Sequence, residues 1–380
     1  MSRFLPCRYL PDPFMKPDGT RISKPEEWAA QKQIIRDLAQ THMYGRWPGK
    51  VKSLLPTVKR REVRYDGEMI AVLEEVTLFV DNAFEMDLKV LRPESACKIP
   101  VIVFIGNHCP IEYEVLKSGY AIAYYNRDHI VPDWSSAKYQ GTEDEARVRT
   151  YPTLDCGAIM AWAWGASIAA DYLKTCEYAG PLIVTGHSRD GKAALCAGIF
   201  DERFAIVAPI GSGCGGAGSA RFLGTADGSR QNGTRCETIG RITHAYPDWF
   251  GGTYAQYGSS EEPFYPLDDK VSALPLDAHM LRAACAPNAV FDSEGEQDDW
   301  CNTFGTQLCW QASQKVFDFL GVPEKNGFHM RKGRHAFNAH DWAALIYFCD
   351  TVLKREPLIP HDDINKPTYD IDLKEYAPWR

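Results

Sequence analysis

The sequence predicts a three-layer α/β sandwich: a mostly parallel central sheet, helices on both faces, and an N-terminal antiparallel extension. Three observations carry that expectation. Residues 60–92 alternate apolar and polar side chains and carry Gly, Asn and Asp at intervals, as antiparallel hairpins do. The runs at 99–106 (IPVIVFIG), 119–126 (GYAIAYYN), 203–211 (RFAIVAPIG) and 288–294 (NAVFDSE) are largely apolar along their length. Parallel strands covered on both faces read that way. Helical patterns separate the runs, so strands and helices alternate along the chain.

The elements follow in order. Residues 1–24 are rich in proline and polar groups and are expected to form an extended arm. Residues 25–42 set Trp28, Ile34, Ile35 and Leu38 at helical spacing. After the hairpin set and the first two apolar strands, a helix is expected over 154–174, around Trp162 and Trp164. Pro181 to Val184 reads as a short buried strand, with an Ala/Leu-rich helix starting near Lys192. Beyond strand 203–211, residues 213–267 are glycine-rich and irregular, with Tyr246, Trp249, Phe250, Tyr254 and Tyr257. A long irregular stretch is often functional, so it is read as the substrate-binding surface. The strand at 288–294 precedes a helix at 307–319 and a last strand at 327–333, opened by an Asn326-Gly327 turn. Helix 340–354 gathers Trp342, Leu345, Ile346, Cys349, Val352 and Leu353 on one face, and a polar tail follows Pro357. One domain spanning 1–380 is expected, without internal repeats.

Composition narrows the function classes. Hydrophobic residues make up 45% of 380, enough for a sizeable core. A net charge of −8 and the lack of a basic run argue against a nucleic-acid partner. Twelve cysteines occur without a C-x-x-C pair, so a zinc ribbon or thioredoxin-type site is not expected. Mostly free, buried cysteines are expected, with room for one or two bridges. No apolar run reaches about 18 residues, the length needed to span a membrane as a helix. The first residues show no apolar signal-peptide core, and the cellular compartment stays open. A monomer without cofactor is expected.

Residues 179–199, AGPLIVTGHSRDGKAALCAGI, organise the rest. A serine on a tight strand-to-helix turn is how α/β-hydrolases present a nucleophile, and this places the sandwich in that fold. The match to G-x-S-x-G is imperfect: Gly186 and Ser188 fit, position 190 is Asp, and the second glycine is Gly191. Gly186 to Lys192 also fits most of the phosphate-binding G-x-x-x-x-G-K-[ST]. The next residue, Ala193, lacks the hydroxyl that would hold Mg²⁺. An ordinary strand–turn–helix with an incidental serine is the third reading.

A serine nucleophile needs a base, and the base a carboxylate. On this fold they follow in the order serine, acid, histidine. His329 lies inside the last strand and reads as a core histidine. His340 sits in the first turn of the last helix and reads as solvent-facing. His335 lies in the loop after the strand, where a base has to be. No metal site is expected, since His335 and His340 do not converge on one helical face.

G-H-S-R-D-G-K-A at 186–193 resembles the nucleophile motif of the glucuronoyl esterases, carbohydrate esterase family 15, whose second glycine is displaced in the same way. LPDPFMKPDGTRI, DCGAIMAWAWGASIAADYL, SGCGG and RHAFNAHDW are similar to segments of bacterial members, in the same order. The resemblance implies Ser188 as nucleophile and His335 as base. It also implies that Arg189 points its side chain at the oxyanion; the alternative is a surface pair with Asp190. Many members carry a glutamate at the end of the strand after the nucleophile helix, and Ala208 to Gly213 hold no carboxylate. Some bacterial members place an Asp two residues before a Trp, which selects Asp298 in Glu294–Trp300, with Asp299 as runner-up. A solvated acidic loop is the alternative. Lys192, Glu237 and Trp249 match the family's sugar pocket. His187 and Ala336 stand where fungal members form a disulfide, so that bridge is not expected.

What the resemblance implies is a serine carboxylic-ester hydrolase. It would cleave esters of 4-O-methyl-glucuronic acid in lignin–glucuronoxylan cross-links through a glucuronoyl-enzyme. An acetyl or feruloyl xylan esterase with the same triad stays open. So do a non-catalytic carbohydrate-binding protein on this scaffold and a nucleotide-binding P-loop protein.

Overall fold

The computed structural model describes residues 8–66, 69–106, 112–133, 154–224, 236–259, 268–358 and 360–379. Among them nine strands make one sheet. These are β1 (Leu54–Asp66), β2 (Met69–Val80), β3 (Phe84–Pro93), β4 (Ile99–Ile105), β5 (Ala121–Tyr125), β6 (Ala179–His187), β7 (Phe204–Ile210), β8 (Ala289–Gly295) and β9 (Asn326–Arg331). Their spatial order is β1-β2-β3-β5-β4-β6-β7-β8-β9. The first three are antiparallel, and β3 meets β5 antiparallel. From β5 to β9 all pairs are parallel. The three-layer α/β fold with an antiparallel N-terminal extension is the one expected.

The helices are α1 (Trp28–Ala39), α2 (Glu112–Lys117), α3 (Ala158–Leu173), α4 (Arg189–Phe200), α5 (Ile239–Ala245), α6 (Asp268–Ser272), α7 (Ala278–Ala283), α8 (Thr303–Phe319) and α9 (Ala339–Val352). The apolar strands explain why helices cover both faces. Side chains alternate across a strand. Val101, Val103 and Ile105 of β4 enter one core with α1, α3, α4 and α7. Ile102 and Phe104, one residue out of phase, enter a second core with α2 and α9. The same split divides Ala121, Ala123 and Tyr125 from Ile122 and Tyr124 in β5.

The strand order reverses beside β4: the chain steps outward to β5, then returns to β6 on the other side. Open α/β sheets bind ligands at the carboxyl ends of strands next to such a reversal. Ser188, Asp298 and His335 follow the carboxyl ends of β6, β8 and β9.

Several local expectations need correction. The helix after Ser188 starts at Arg189, not near Lys192, because Ser188 itself turns the chain with φ +59°. Asn326-Gly327 is not a turn. Asn326 is buried in β9, with its side-chain oxygen accepting from Arg282 Nη2 at 2.7 Å. The stretch 213–267 is not wholly irregular, since Thr238 caps α5 by accepting from the Arg241 N–H. Residues 225–235 and 260–267 of that stretch lie outside the described residues. The N-terminal arm, expected as an extended segment, is also anchored: Leu10 N–H donates to Tyr376 O at 2.8 Å, and Leu10, Phe14 and Ile22 are buried. All cysteines among the described residues are free, and no described helix is long and apolar enough to cross a membrane.

Candidate active site

Ser188 sits between β6 and α4 with φ +59° and ψ −120°, a sparsely populated conformation for a residue with a side chain. Strain of this kind costs of order 1–3 kcal/mol and persists only where packing enforces it. The enforcement is visible. The Ser188 N–H donates to Ile210 O of β7 at 2.9 Å, and its carbonyl accepts from Lys192 N at 3.0 Å. The displaced glycine has a steric reason. A Cβ on Gly191 would meet Ile210 O at 2.7 Å, and one on Gly186 would meet Asp190 O at 2.4 Å. The close approach of α4 to the sheet therefore falls at 191. Position 190 is free to carry a carboxylate, and Asp190 pairs with Arg127 Nε at 2.5 Å. Burial pushes its carboxyl up to about 6 against the pull of Arg127.

His335 stands in the loop between β9 and α9, about a third of its side chain exposed. Its Nδ1 lies 2.6 Å from Asp298 Oδ2. The other oxygen, Oδ1, accepts from the Cys301 N–H at 3.2 Å, which turns this carboxylate inward. Burial alone would raise Asp298, but the hydrogen bond and charge of His335 outweigh it and hold the carboxyl below the usual range. Of the two candidate acids, Asp298 is the one that reaches the imidazole.

Contacts on both sides of Ser188 bring His335 to the elbow. The rings of His187 and His335 are 4.4 Å apart between centroids. Across the elbow, a Cβ on Gly211 would lie 3.6 Å from His335 Cε1. The end of β7 is thus a second place from which a carboxylate could approach this imidazole, and here it carries glycine. Burial, then the neighbouring His335, lower His187 to about 4, so this ring stays neutral near pH 7. His329 is a core histidine as read, 2% exposed and bonded to Ser293 Oγ at 2.8 Å. His340 is exposed at the start of α9.

Asp190 pairs with Arg127, while Arg189 turns to Asp133. Arg189 Nη1 meets Asp133 Oδ2 at 2.5 Å, and its guanidinium lies 4.7 Å over the Trp249 ring. Asp133 is 3% exposed and also accepts from Arg127 Nη2 at 3.2 Å and from Trp249 Nε1 at 3.3 Å. Nothing in the sequence around Asp133 marked it, because its partners Arg189 and Trp249 lie 56 and 116 positions away. Trp249 is 4% exposed, stacked on Tyr246 at 3.9 Å on one side and covered by Arg189. Lys192 and Glu237, far apart in sequence, meet each other. Lys192 Nζ donates to Glu237 Oε2 at 2.7 Å and to Ser212 O at 2.5 Å, with the two residues 1% and 3% exposed. In this conformation they are occupied with each other.

Two further residues escaped the sequence reading. Cys301 donates through Sγ to Gly211 O at 2.9 Å and lies 3.3 Å from His335 Nδ1. Glu294, at the end of β8, is fully buried; burial, then the charges of Asp298 and Asp341, raise it well above its ordinary 4.5. Its folded state therefore keeps a proton that the unfolded chain loses near pH 4.5, so this carboxyl costs stability increasingly as pH rises. Glu294→Gln keeps the shape without the ionisation. Its Tm advantage over the parent is expected to grow from about pH 5 upward. A pH-independent difference in Tm across pH 4–8 would contradict the assignment.

The fungal glucuronyl esterase family model matches residues 79–321. This chain belongs to the glucuronoyl esterase family. A carbohydrate esterase of an unknown prokaryotic organism is 30% identical over 91% of this chain and 90% of its own length. The 4-O-methyl-glucuronoyl methylesterase of Neurospora crassa is 26% identical over 97% of this chain and 88% of its own. Among solved structures, the family 15 glucuronoyl esterase of Caldicellulosiruptor kristjansonii superposes with a TM-score of 0.76. It shares 30% identity and covers 96% of this chain and 94% of that one. As a member of this family the chain is a carboxylic-ester hydrolase.

Proposed function

We propose that this glucuronoyl esterase hydrolyses esters of (4-O-methyl-)glucuronic acid, as in lignin–glucuronoxylan cross-links, through a glucuronoyl-enzyme intermediate. The reading is supported above all by one contact. A buried Asp298 carboxylate meets His335 Nδ1 at 2.6 Å at the sheet rim that carries the strained Ser188 elbow. The named activity of the Neurospora crassa relative supports the substrate class.

In this reading Ser188 Oγ attacks the C6 carbonyl while His335 Nε2 takes its proton. Asp298 holds the proton on Nδ1, which leaves Nε2 as acceptor and stabilises the imidazolium. The tetrahedral oxyanion faces the N-terminus of α4 and the Arg189 side chain. His335 returns the proton to the leaving alcohol. Water then repeats the sequence on the acyl-enzyme, giving free glucuronate and restoring Ser188. Lys192, Glu237 and Trp249 form the sugar side of the proposal. The burial of Lys192 and Glu237 means that a sugar hydroxyl engages them by exchanging for the Ser212 carbonyl or for each other.

Rates on benzyl glucuronate and on acetylated xylan test the substrate. The reading expects kcat/KM at least a hundredfold higher on the glucuronate; a preference for acetylated xylan overturns it. Arg189→Ala is expected to lower kcat by about 10²–10³-fold with little change in KM, since a donor to the oxyanion acts in the transition state. Asp133→Asn, which loosens the same guanidinium from behind, is expected to lower kcat by about tenfold. Steady-state kinetics on benzyl glucuronate measure both.

A further inference from the structure

A second cluster of ligating side chains lies away from Ser188, where the C-terminal segment crosses the last strand. His329 projects from β9, and His361 and Asp363 come from the segment after α9. One ligand atom from each of the three lies within 4.8 Å of the others. The segment is held in place here: Asn365 Oδ1 accepts from the Phe328 N–H at 2.8 Å, and the Asn365 N–H donates to Phe328 O at 2.7 Å.

The tautomer of His329 follows from its partners. Asp341 accepts from Arg331 Nε at 2.7 Å, from the Asn338 N–H at 2.8 Å and from Ser293 Oγ at 2.6 Å. The single Ser293 hydroxyl proton is therefore spent on the carboxylate. Ser293 Oγ, 2.8 Å from His329 Nδ1, can only accept there. The ring proton sits on Nδ1, and Nε2 keeps a bare lone pair. A carboxylate acting through a bonded group to fix an imidazole in this way is the arrangement that supports metal-ligating histidines.

His361 supplies the second lone pair. Among the described residues its Nδ1 is buried without a hydrogen-bond partner, and Asp363 Oδ1 is 3.7 Å away, too far for a hydrogen bond. A buried polar atom in that state calls for an explanation, and coordination to an ion supplies one. The spacing suits an ion. Two imidazoles on one tetrahedral ion with bonds of about 2.0–2.1 Å put their centroids roughly 5 Å apart. The His329 and His361 centroids are 4.9 Å apart, with their planes at 87°.

We propose that His329, His361 and Asp363 bind a divalent transition-metal ion, of which Zn²⁺ is the type, with water as fourth ligand. The ion clips the segment around 361–366 onto β9. Two nitrogens and one carboxylate oxygen suit Zn²⁺ and its Co²⁺ substitute, whereas Mg²⁺ and Ca²⁺ take oxygen ligands.

Full-length protein stripped by chelator is titrated with Co²⁺ and with Zn²⁺. One Co²⁺ per chain is expected, with visible d–d absorption and no thiolate-to-metal charge-transfer band. Zn²⁺ at about a hundred times its Kd is expected to raise Tm by roughly 3–5 °C. His361→Ala and, separately, Asp363→Asn are expected to weaken binding by at least tenfold while leaving glucuronate-ester hydrolysis unchanged. A thiolate band overturns the proposal, because it moves the ion to Asp298, Cys301 and His335. Affinity unaltered in both variants overturns it, as does the lack of binding at millimolar metal.

Discussion

Ser188→Ala lowers kcat on benzyl glucuronate by about 10⁵–10⁶-fold, with KM within a few-fold of the parent. The proposed mechanism requires both halves of that result. Removing Oγ removes the only atom that forms the acyl-enzyme, so chemistry falls to what the oxyanion donors and substrate positioning sustain. The sugar side does not include Oγ, so ground-state binding stays. A second variant separates the backbone from the hydroxyl. Ser188→Gly is as inactive, yet is expected to be more stable by about 1 kcal/mol, since glycine adopts positive φ without the steric cost. Ser188 φ is +59°, and alanine there inherits the same strain. A glycine variant that is inactive and more stable than alanine ties the cost of the elbow to its function.

Asp298→Asn is expected to lower kcat by about 10⁴-fold, again with KM little changed. The size of the effect follows from a single flipped tautomer. The Cys301 N–H donates to one oxygen of Asp298 and will keep an amide oxygen in that place. The amide NH₂ then faces His335 Nδ1. That nitrogen must become the acceptor, and the ring proton moves to Nε2, where the lone pair for Ser188 is needed. Asp299→Asn is the control. Its carboxylate does not reach the imidazole, and kcat is expected to stay within about threefold of the parent. The two single variants therefore separate neighbouring acids that the sequence leaves side by side.

How far the site can be read from residues alone depends on the range of the interaction. The elbow is local: strand, Gly186-His187-Ser188, and helix lie within a few residues, and the sequence shows them. The position of the second glycine is legible as a pattern, but its cause is not. That cause is the Ile210 carbonyl pressing on position 191. The choice of His335 over His329 and His340 is also local, since it depends on strand, loop and helix ends. Asp298 against Asp299 is different. Both sit in an acidic loop, and what turns one inward is a backbone N–H three residues on. Asp133 is further out of reach, because its partners Arg127, Arg189 and Trp249 meet only when β5, β6 and the 246–250 segment are folded together. The Asn326-Gly327 misreading has the same origin. A dipeptide that favours turns is held in a strand by Arg282, fully buried, which no local rule contains.

The central claim is that Ser188 is the activated nucleophile, with His335 and Asp298 behind it. A fluorophosphonate probe reads this most directly, because only a serine whose proton is taken by a nearby base reacts quickly. The account predicts one equivalent of label per chain, found by peptide mass spectrometry on the peptide carrying Ser188, and lost in His335→Ala. Fast labelling at another residue, or no labelling of an enzyme that turns over benzyl glucuronate, would contradict it.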